Sequence, residues 1–169
     1  NDFVSDVDRA AEAEIVNALK RAYPDHGIIG EEGSSINPGA DYQWIIDPLD
    51  GTTNFLYGVP HFAVSIALKR GNRLEQAVIY DPTLDELFTA SRGDGARLNN
   101  RRIRVSSRKS MRGALLSTGI PFKESQGDIM DTYIQTLKAL APGTAGVRRQ
   151  GSAALDLAYV AAGRFDGFW

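Results

Sequence analysis

The chain has 169 residues, 43% hydrophobic and 24% charged, with a formal net charge of −2, two histidines and no cysteine. That length suits one domain, and that apolar fraction excludes intrinsic disorder. The lack of cysteine excludes disulfides, a thiol nucleophile and thiolate metal centres, and His26 and His61 are too few for a three-histidine zinc site; any chemistry falls to acids and hydroxyls, which favours a hard oxygen-bound cation such as magnesium.

In chain order, Ser5-x-x-Asp8 reads as a capping box. It precedes an apolar-periodic helix (Val7, Ala11, Ile15, Ala18, Leu19, Ala22) of about 16–18 residues that Pro24 stops. The apolar pair Ile28-Ile29 leads into Gly30-Glu31-Glu32-Gly33-Ser34 and a loop. Tyr42 to Ile46 predicts a buried strand ending at Asp47-Pro48, and Gly51-Thr52-Thr53 the start of a short helix. Phe62 to Leu68 and Leu74 to Tyr80 flank Gly71-Asn72 and predict a β-hairpin. Glu86 to Ala90 and Ile103 to Val105 are expected to extend the same antiparallel sheet. Ala114 to Thr118 and Val147 to Arg149 predict strands, and Asp128 to Leu140 a helix closed by Pro142-Gly143. Ser152 caps a small-residue helix to Ala162, ended by Gly163, and the run Phe165-Asp166-Gly167-Phe168-Trp169 predicts a last strand. The pattern predicts α+β or layered α/β, arranged as one unit over 1–169. The start at Asn1 and the aromatic end lead us to expect a chain cut at both ends. No apolar run of about 18 residues occurs, so no membrane span is expected, and the absence of cysteine favours the cytoplasm.

No GxxxxGK[ST], GxSxG, HExxH or CxxC is present, which argues against a P-loop nucleotidase, an elbow-type serine hydrolase and a zincin. The acids are unevenly spread. Residues 1–50 carry 11 acids against three bases, a charge of −8, and the rest of the chain carries +6. Clustered carboxylates repel unless solvated or bridged by cations.

The string Trp44-Ile45-Ile46-Asp47-Pro48-Leu49-Asp50-Gly51-Thr52-Thr53-Asn54 concentrates the chemistry. A buried strand delivers Asp47, Pro48 removes a donor and forces a turn, and Asp50 follows three residues on. Two carboxylates and the exposed Leu49 carbonyl between them are oxygen ligands of the kind magnesium prefers. The helix start at Gly51-Thr52 offers backbone N–H groups to a phosphate beside that metal. Aspartate, proline and glycine are also what plain turns use, so a turn is the competing reading. Glu31 and Glu32 suit a metal ligand or a base that orients water, or a charged loop. Asp8 suits a helix cap, or a partner for a threonine hydroxyl that orients an attacking water.

Together these residues resemble the inositol monophosphatase family of magnesium-dependent, lithium-sensitive phosphatases, in its bacterial form. The resemblance runs from Asp2-Phe3-Val4-Ser5 through Gly30-Glu31-Glu32, Trp44 to Thr53 and Pro60 to Ala67, to Gly93-Asp94-Gly95-Ala96 and Gly151-Ser152-Ala153-Ala154. It implies the α/β sandwich shared with fructose-1,6-bisphosphatases, αβαβα in layer order, with a mostly antiparallel meander sheet. Glu31, Asp47, the Leu49 carbonyl and Asp50 are then expected to hold magnesium, as two or three ions with lithium inhibitory, and Asp2 to assist a weaker third site. Gly51 and Thr52 would bind phosphate. Thr52, paired with Asp8 and assisted by Glu31, would activate water. Asp50 and Gly151-Ser152-Ala153 would contact the inositol hydroxyls. The resemblance also implies a homodimer. It places a further metal-ligating aspartate and a substrate-contacting glutamate after Trp169, and a helical segment before Asn1.

The metal motif does not separate inositol phosphate from fructose bisphosphate, histidinol phosphate or adenosine bisphosphates. A different reading is a regulatory binding module. Residues 97–112 carry seven bases (Arg97, Arg101, Arg102, Arg104, Arg108, Lys109, Arg112) and no acid, a footprint for RNA or an acidic protein, or a solvated basic segment without aromatics for base stacking. Bacterial members of the family are associated with RNA polymerase antitermination complexes, which the resemblance permits as a partner. Asp81-Pro82-Thr83-Leu84-Asp85-Glu86 reads as a turn between strands, and His61 as packing.

Overall fold

The computed structural model describes residues 6–121 and 127–169. They divide into two compact units that meet in sequence between Arg102 and Ile103.

The first unit opens with α1 (Asp6–Ala22), 17 residues long, as the periodicity predicts. Asp6 and Asp8 sit in its first turn and Lys20 and Arg21 in its last, which suits the helix dipole. Ser5 and its capping-box role, like Asp2, lie outside the described residues. Two short strands that the sequence reading does not separate, β1 (Gly27–Gly30) and β2 (Ser35–Ile36), follow. Next come β3 (Tyr42–Asp50), the short helix α2 (Thr52–Leu56), β4 (Ala63–Arg70), β5 (Arg73–Asp81), β6 (Glu86–Ser91), β7 (Gly95–Leu98) and β8 (Arg101–Arg102). The strands form one eight-stranded sheet in the order β2-β1-β3-β4-β5-β6-β7-β8. Only the β1–β3 pairing is parallel; the rest is an antiparallel meander.

Val16 of α1 packs with Ile28 of β1 and Ile46 of β3, flanked by Ile15, Leu19, Ile36, Trp44 and Ile66. The helix therefore lies against one end of the sheet, and that core fixes its position relative to β1 and β3. The expected hairpin forms about Gly71-Asn72, with Arg70 opposite Arg73. The Asp81 turn also forms: Asp81 Oδ1 accepts the Thr83 N–H at 2.8 Å, the Thr83 hydroxyl at 2.7 Å and the Leu84 N–H at 3.2 Å.

Two expectations need correction. The strand predicted to stop at Asp47-Pro48 runs on to Asp50, with a register break against β4 between Asp47 and Asp50. A bulge tolerates the proline's missing donor, so Pro48 bends the strand without ending it. Ile103–Val105 forms no strand; pairing ends at Arg102. β7 and β8 are joined by Asn99-Asn100, both at positive φ (45° and 65°) as a tight hairpin requires. Beyond Arg102 the chain belongs to the second unit, where the Ser106 hydroxyl donates to Asp166 and Arg108 pairs with the same carboxylate at 3.1 Å. Those side-chain anchors override the local β propensity.

The second unit contains β9 (Leu115–Ser117), α3 (Gly127–Leu140), β10 (Gly146–Arg148), α4 (Ala153–Ala161) and β11 (Gly167–Phe168). The three strands form a parallel sheet in the order β10-β9-β11. Leu116, Leu155, Ala158, Tyr159 and Phe165 are buried in this unit, with Tyr159 and Phe165 edge to face at 5.5 Å. No helix among the described residues is long and apolar enough to cross a membrane.

Candidate active site

The site is built where β1, the β3 bulge, α2 and the first turns of α1 meet. The parallel register sets Gly30 beside Ile46, and the Glu31 N–H donates to the Ile46 carbonyl at 3.0 Å. Glu31 thereby comes level with Asp47, the first residue of the bulge, with the two carboxyls close enough to share a proton. Asp47 Oδ1 also accepts the Leu49 N–H at 3.1 Å, which folds the bulge back on itself.

Burial pushes the Asp47 carboxyl up to about 8, helped by the hydrogen bond and charge of Glu31 and then by the charge of Asp50; the Leu49 N–H opposes the shift. Burial, with repulsion from Asp8, Glu31 and Glu12, also raises Glu32, while Arg9 lowers it.

Gly51 closes the bulge at φ 98°, a left-handed conformation that glycine adopts without a Cβ penalty. The turn starts α2 and directs the Thr52 hydroxyl inward, 3.2 Å from Asp8 Oδ1 and 3.0 Å from the Leu49 carbonyl oxygen. Asp8 is only 2% exposed. Its side chain meets the Thr52 hydroxyl from the first turn of α1. Asn54 Nδ2 donates to the His61 carbonyl at 2.7 Å and ties the far end of α2 to the loop ahead of β4.

The structure therefore brings Asp8, Glu31, Asp47, Leu49, Asp50, Gly51 and Thr52 into one neighbourhood. Gly151, Ser152 and Ala153 lie in the second unit. There Gly151 takes φ 90°, and the buried Ser152 caps α4 by accepting the Leu155 N–H at 3.4 Å.

One residue that sequence reasoning missed is Glu12. It is 3% exposed, and its two oxygens accept the N–H groups of Glu32 at 2.9 Å and Ser34 at 3.1 Å. The available signal was spacing: Asp8, Glu12 and Val16 fall at i, i+4 and i+8 on one face of α1, and all three are buried.

Among the described residues, no three His, Cys, Asp or Glu side chains converge on one metal position. The donors present nonetheless fit a hard divalent cation in kind. Asp47 and Glu31 are carboxylates, the Leu49 carbonyl lies within hydrogen-bond reach of the Thr52 hydroxyl, and Asp50 adds charge that Asp47 already feels. A cation there would offset the burial and the neighbouring charges that push the Asp47 carboxyl up.

A sequence profile of the inositol monophosphatase family matches residues 1–169. The chain is 63% identical over 171 residues to a protein of Pseudomonas aeruginosa named Nus factor SuhB, covering 99% of this chain and 63% of that protein. Its fold is similar to the crystal structure of extragenic suppressor protein suhB from Bartonella henselae, with TM-score 0.94 and 49% identity over 99% of this chain and 64% of that one. It is also similar to an inositol monophosphatase from Anabaena, with TM-score 0.86 and 42% identity over 96% of this chain and 64% of that one. The chain spans about 63% of the length of the curated relatives it matches. On this agreement of sequence and mixed α/β fold, the chain belongs to the inositol monophosphatase family.

Proposed function

We propose that the protein is a magnesium-dependent phosphomonoesterase that hydrolyses myo-inositol 1-phosphate, or a related sugar or alcohol phosphate, by direct attack of water. The observation that carries this reading is the Thr52 hydroxyl, held by buried Asp8 next to the Glu31–Asp47 pair. Glu31, Asp47, the Leu49 carbonyl and Asp50 would hold magnesium. Bound there, magnesium supplies Lewis-acid stabilisation of the phosphoryl oxygens and the leaving alkoxide.

The chain's own residues do the rest. With its proton committed to Asp8, the Thr52 oxygen accepts a hydrogen bond from the attacking water and aims that water at phosphorus. Glu31 takes part in the same orientation. Gly51 and Thr52 present backbone N–H groups to the phosphate, and Asp50 reads the alcohol. No histidine, cysteine or phosphoenzyme is required. The reading carries with it a cytoplasmic protein working as a homodimer, sensitive to lithium.

The test is phosphate release by the full-length protein on a panel of phosphomonoesters that includes fructose 1,6-bisphosphate and histidinol phosphate. We expect the highest kcat/KM on inositol phosphate, inhibition by lithium, and loss of activity in Asp50→Asn. An Asp50→Asn protein as active as the parent would refute the assignment of that carboxylate.

A second reading is supported by the relatives named Nus factor and by the exposed Arg101 and Arg102 at the β7–β8 hairpin. On this reading the protein also joins a transcription antitermination complex with RNA polymerase through its basic segment. Charge reversal at both arginines should weaken binding to RNA or polymerase and leave phosphate release intact. Unchanged binding sinks it.

A further inference from the structure

Two carboxylates of α1, one helical turn apart, reach into the site from the same face. Asp8 meets the Thr52 hydroxyl, and Glu12 meets the backbone of the turn between β1 and β2. Both oxygens of Glu12 are occupied, by the N–H groups of Glu32 and Ser34. The Gly30 N–H donates to the Ser34 carbonyl at 2.8 Å and closes the turn around that carboxylate. The fit leaves no room at Gly30. A Cβ there would collide with the Glu12 carboxylate, reaching within 2.6 Å of Oε1.

Glu31 is the residue between these two restraints. On one side of it Gly30 lies against the Glu12 carboxylate, and on the other the Glu32 N–H is tied to it. Its own N–H is fixed to Ile46. The backbone of Glu31 is therefore clamped between β3 and α1, and the direction of its side chain follows from that clamp. The core contact of Val16 with Ile28 and Ile46 seats the same helix face, so the frame is rigid at both ends.

The geometry points to Glu12 as a positioning residue for Glu31: it sets the carboxylate of Glu31 against Asp47, as Asp8 sets the hydroxyl of Thr52. This rests on the reading of Glu31 as a magnesium ligand. Because Asp8 and Glu12 stand roughly 6 Å apart along one helix, α1 couples the water-orienting hydroxyl and the metal-facing carboxylate in a single element. Gly30 is then a glycine because a carboxylate occupies the space of its side chain.

The experiment uses the full-length protein with Glu12→Gln, Gly30→Ala, and Gly30→Ala combined with Glu12→Asp, which withdraws the carboxylate by one methylene. Amide hydrogen exchange without metal reads the clamp, and calorimetric titration with magnesium chloride reads its consequence. In Glu12→Gln we expect faster exchange at Glu32 and Ser34, and magnesium binding weakened about 10–100-fold, as for other residues that orient a metal ligand. We expect the midpoint for magnesium in phosphate release to rise by a similar factor, with kcat at saturating magnesium changed less.

Gly30→Ala should reproduce the loss, and Glu12→Asp should restore part of it, which a purely destabilising substitution does not do. The rescue arm still decides the matter if Glu12→Gln folds poorly. Faster exchange at 32 and 34 with unchanged magnesium binding would overturn the inference, as would unchanged exchange. A parent protein that binds no magnesium would overturn the proposed function as well. A parent that binds magnesium beside an indistinguishable Glu12→Gln overturns this inference alone.

Discussion

Thr52 has one hydroxyl proton and two acceptors in reach, Asp8 and the Leu49 carbonyl. Donation to either leaves both oxygen lone pairs open to water, and the proposed mechanism takes buried Asp8 as the acceptor. Thr52→Ala should therefore lower kcat by about 10²–10⁴-fold, the range for loss of a positioned proton-transfer group, with a smaller change in KM. Asp8→Asn keeps an acceptor for the hydroxyl and should cost less; steady-state phosphate release by both variants checks the order. At Gly51 the constraint is conformational. A side chain at φ 98° is strained, so Gly51→Ala should destabilise the protein by about 1–3 kcal/mol, read by denaturant unfolding. The paired acids and the Gly-Thr-Thr start were legible in the sequence because their residue types are specific. Glu12 was not, because one acid on an acidic helix carries no mark of the backbone amides it meets 20 residues away.

The elements show where pattern reading works and where context overrides it. The β4–β5 hairpin forms at Gly71-Asn72 because glycine and asparagine supply the turn and the flanking residues supply the strands. β3 runs past its proline because a bulge absorbs the missing donor, and only the partner strand reveals the bulge. Helix α1 is seated by few apolar contacts, so its core partner matters: Ile46→Ala, at a residue 1% exposed, should cost about 2–5 kcal/mol and loosen the site with the helix.

In the second unit Asp166 ties the 106–108 segment to β9. Its carboxyl lies below the usual range, through the Ser106 hydroxyl first, then the Leu115 N–H, with Arg108 adding its charge. A carboxylate held low in the folded state contributes stability that is present above its ordinary value near 4. That stability is lost as pH falls through the lowered one. Asp166→Asn should thus be less stable than the parent at neutral pH. The difference should shrink below about pH 4, as followed by thermal unfolding across pH.

At the scale of the molecule, the charge division of the sequence acquires a structural meaning. The acids of the first fifty residues divide between exposed positions such as Asp6, Asp25 and Asp41 and an inner set around the β3 bulge, buried Asp8 and Glu12 with half-buried Asp47. Burying like charges together is costly unless protons or cations offset them, and Asp47 near 8 records that cost.

The family fold was legible as a whole because the signature string, the hairpin meander and the small-residue helix α4 all point to it. The strand expected at Ile103–Val105 was not, since Asp166, some sixty residues on, governs that segment.

The most direct test of the central claim is release of inorganic phosphate from myo-inositol 1-phosphate by the full-length protein, measured after EDTA treatment and again after magnesium is restored. Turnover should be lost on chelation and return with magnesium. Turnover that persists undiminished in EDTA would contradict it.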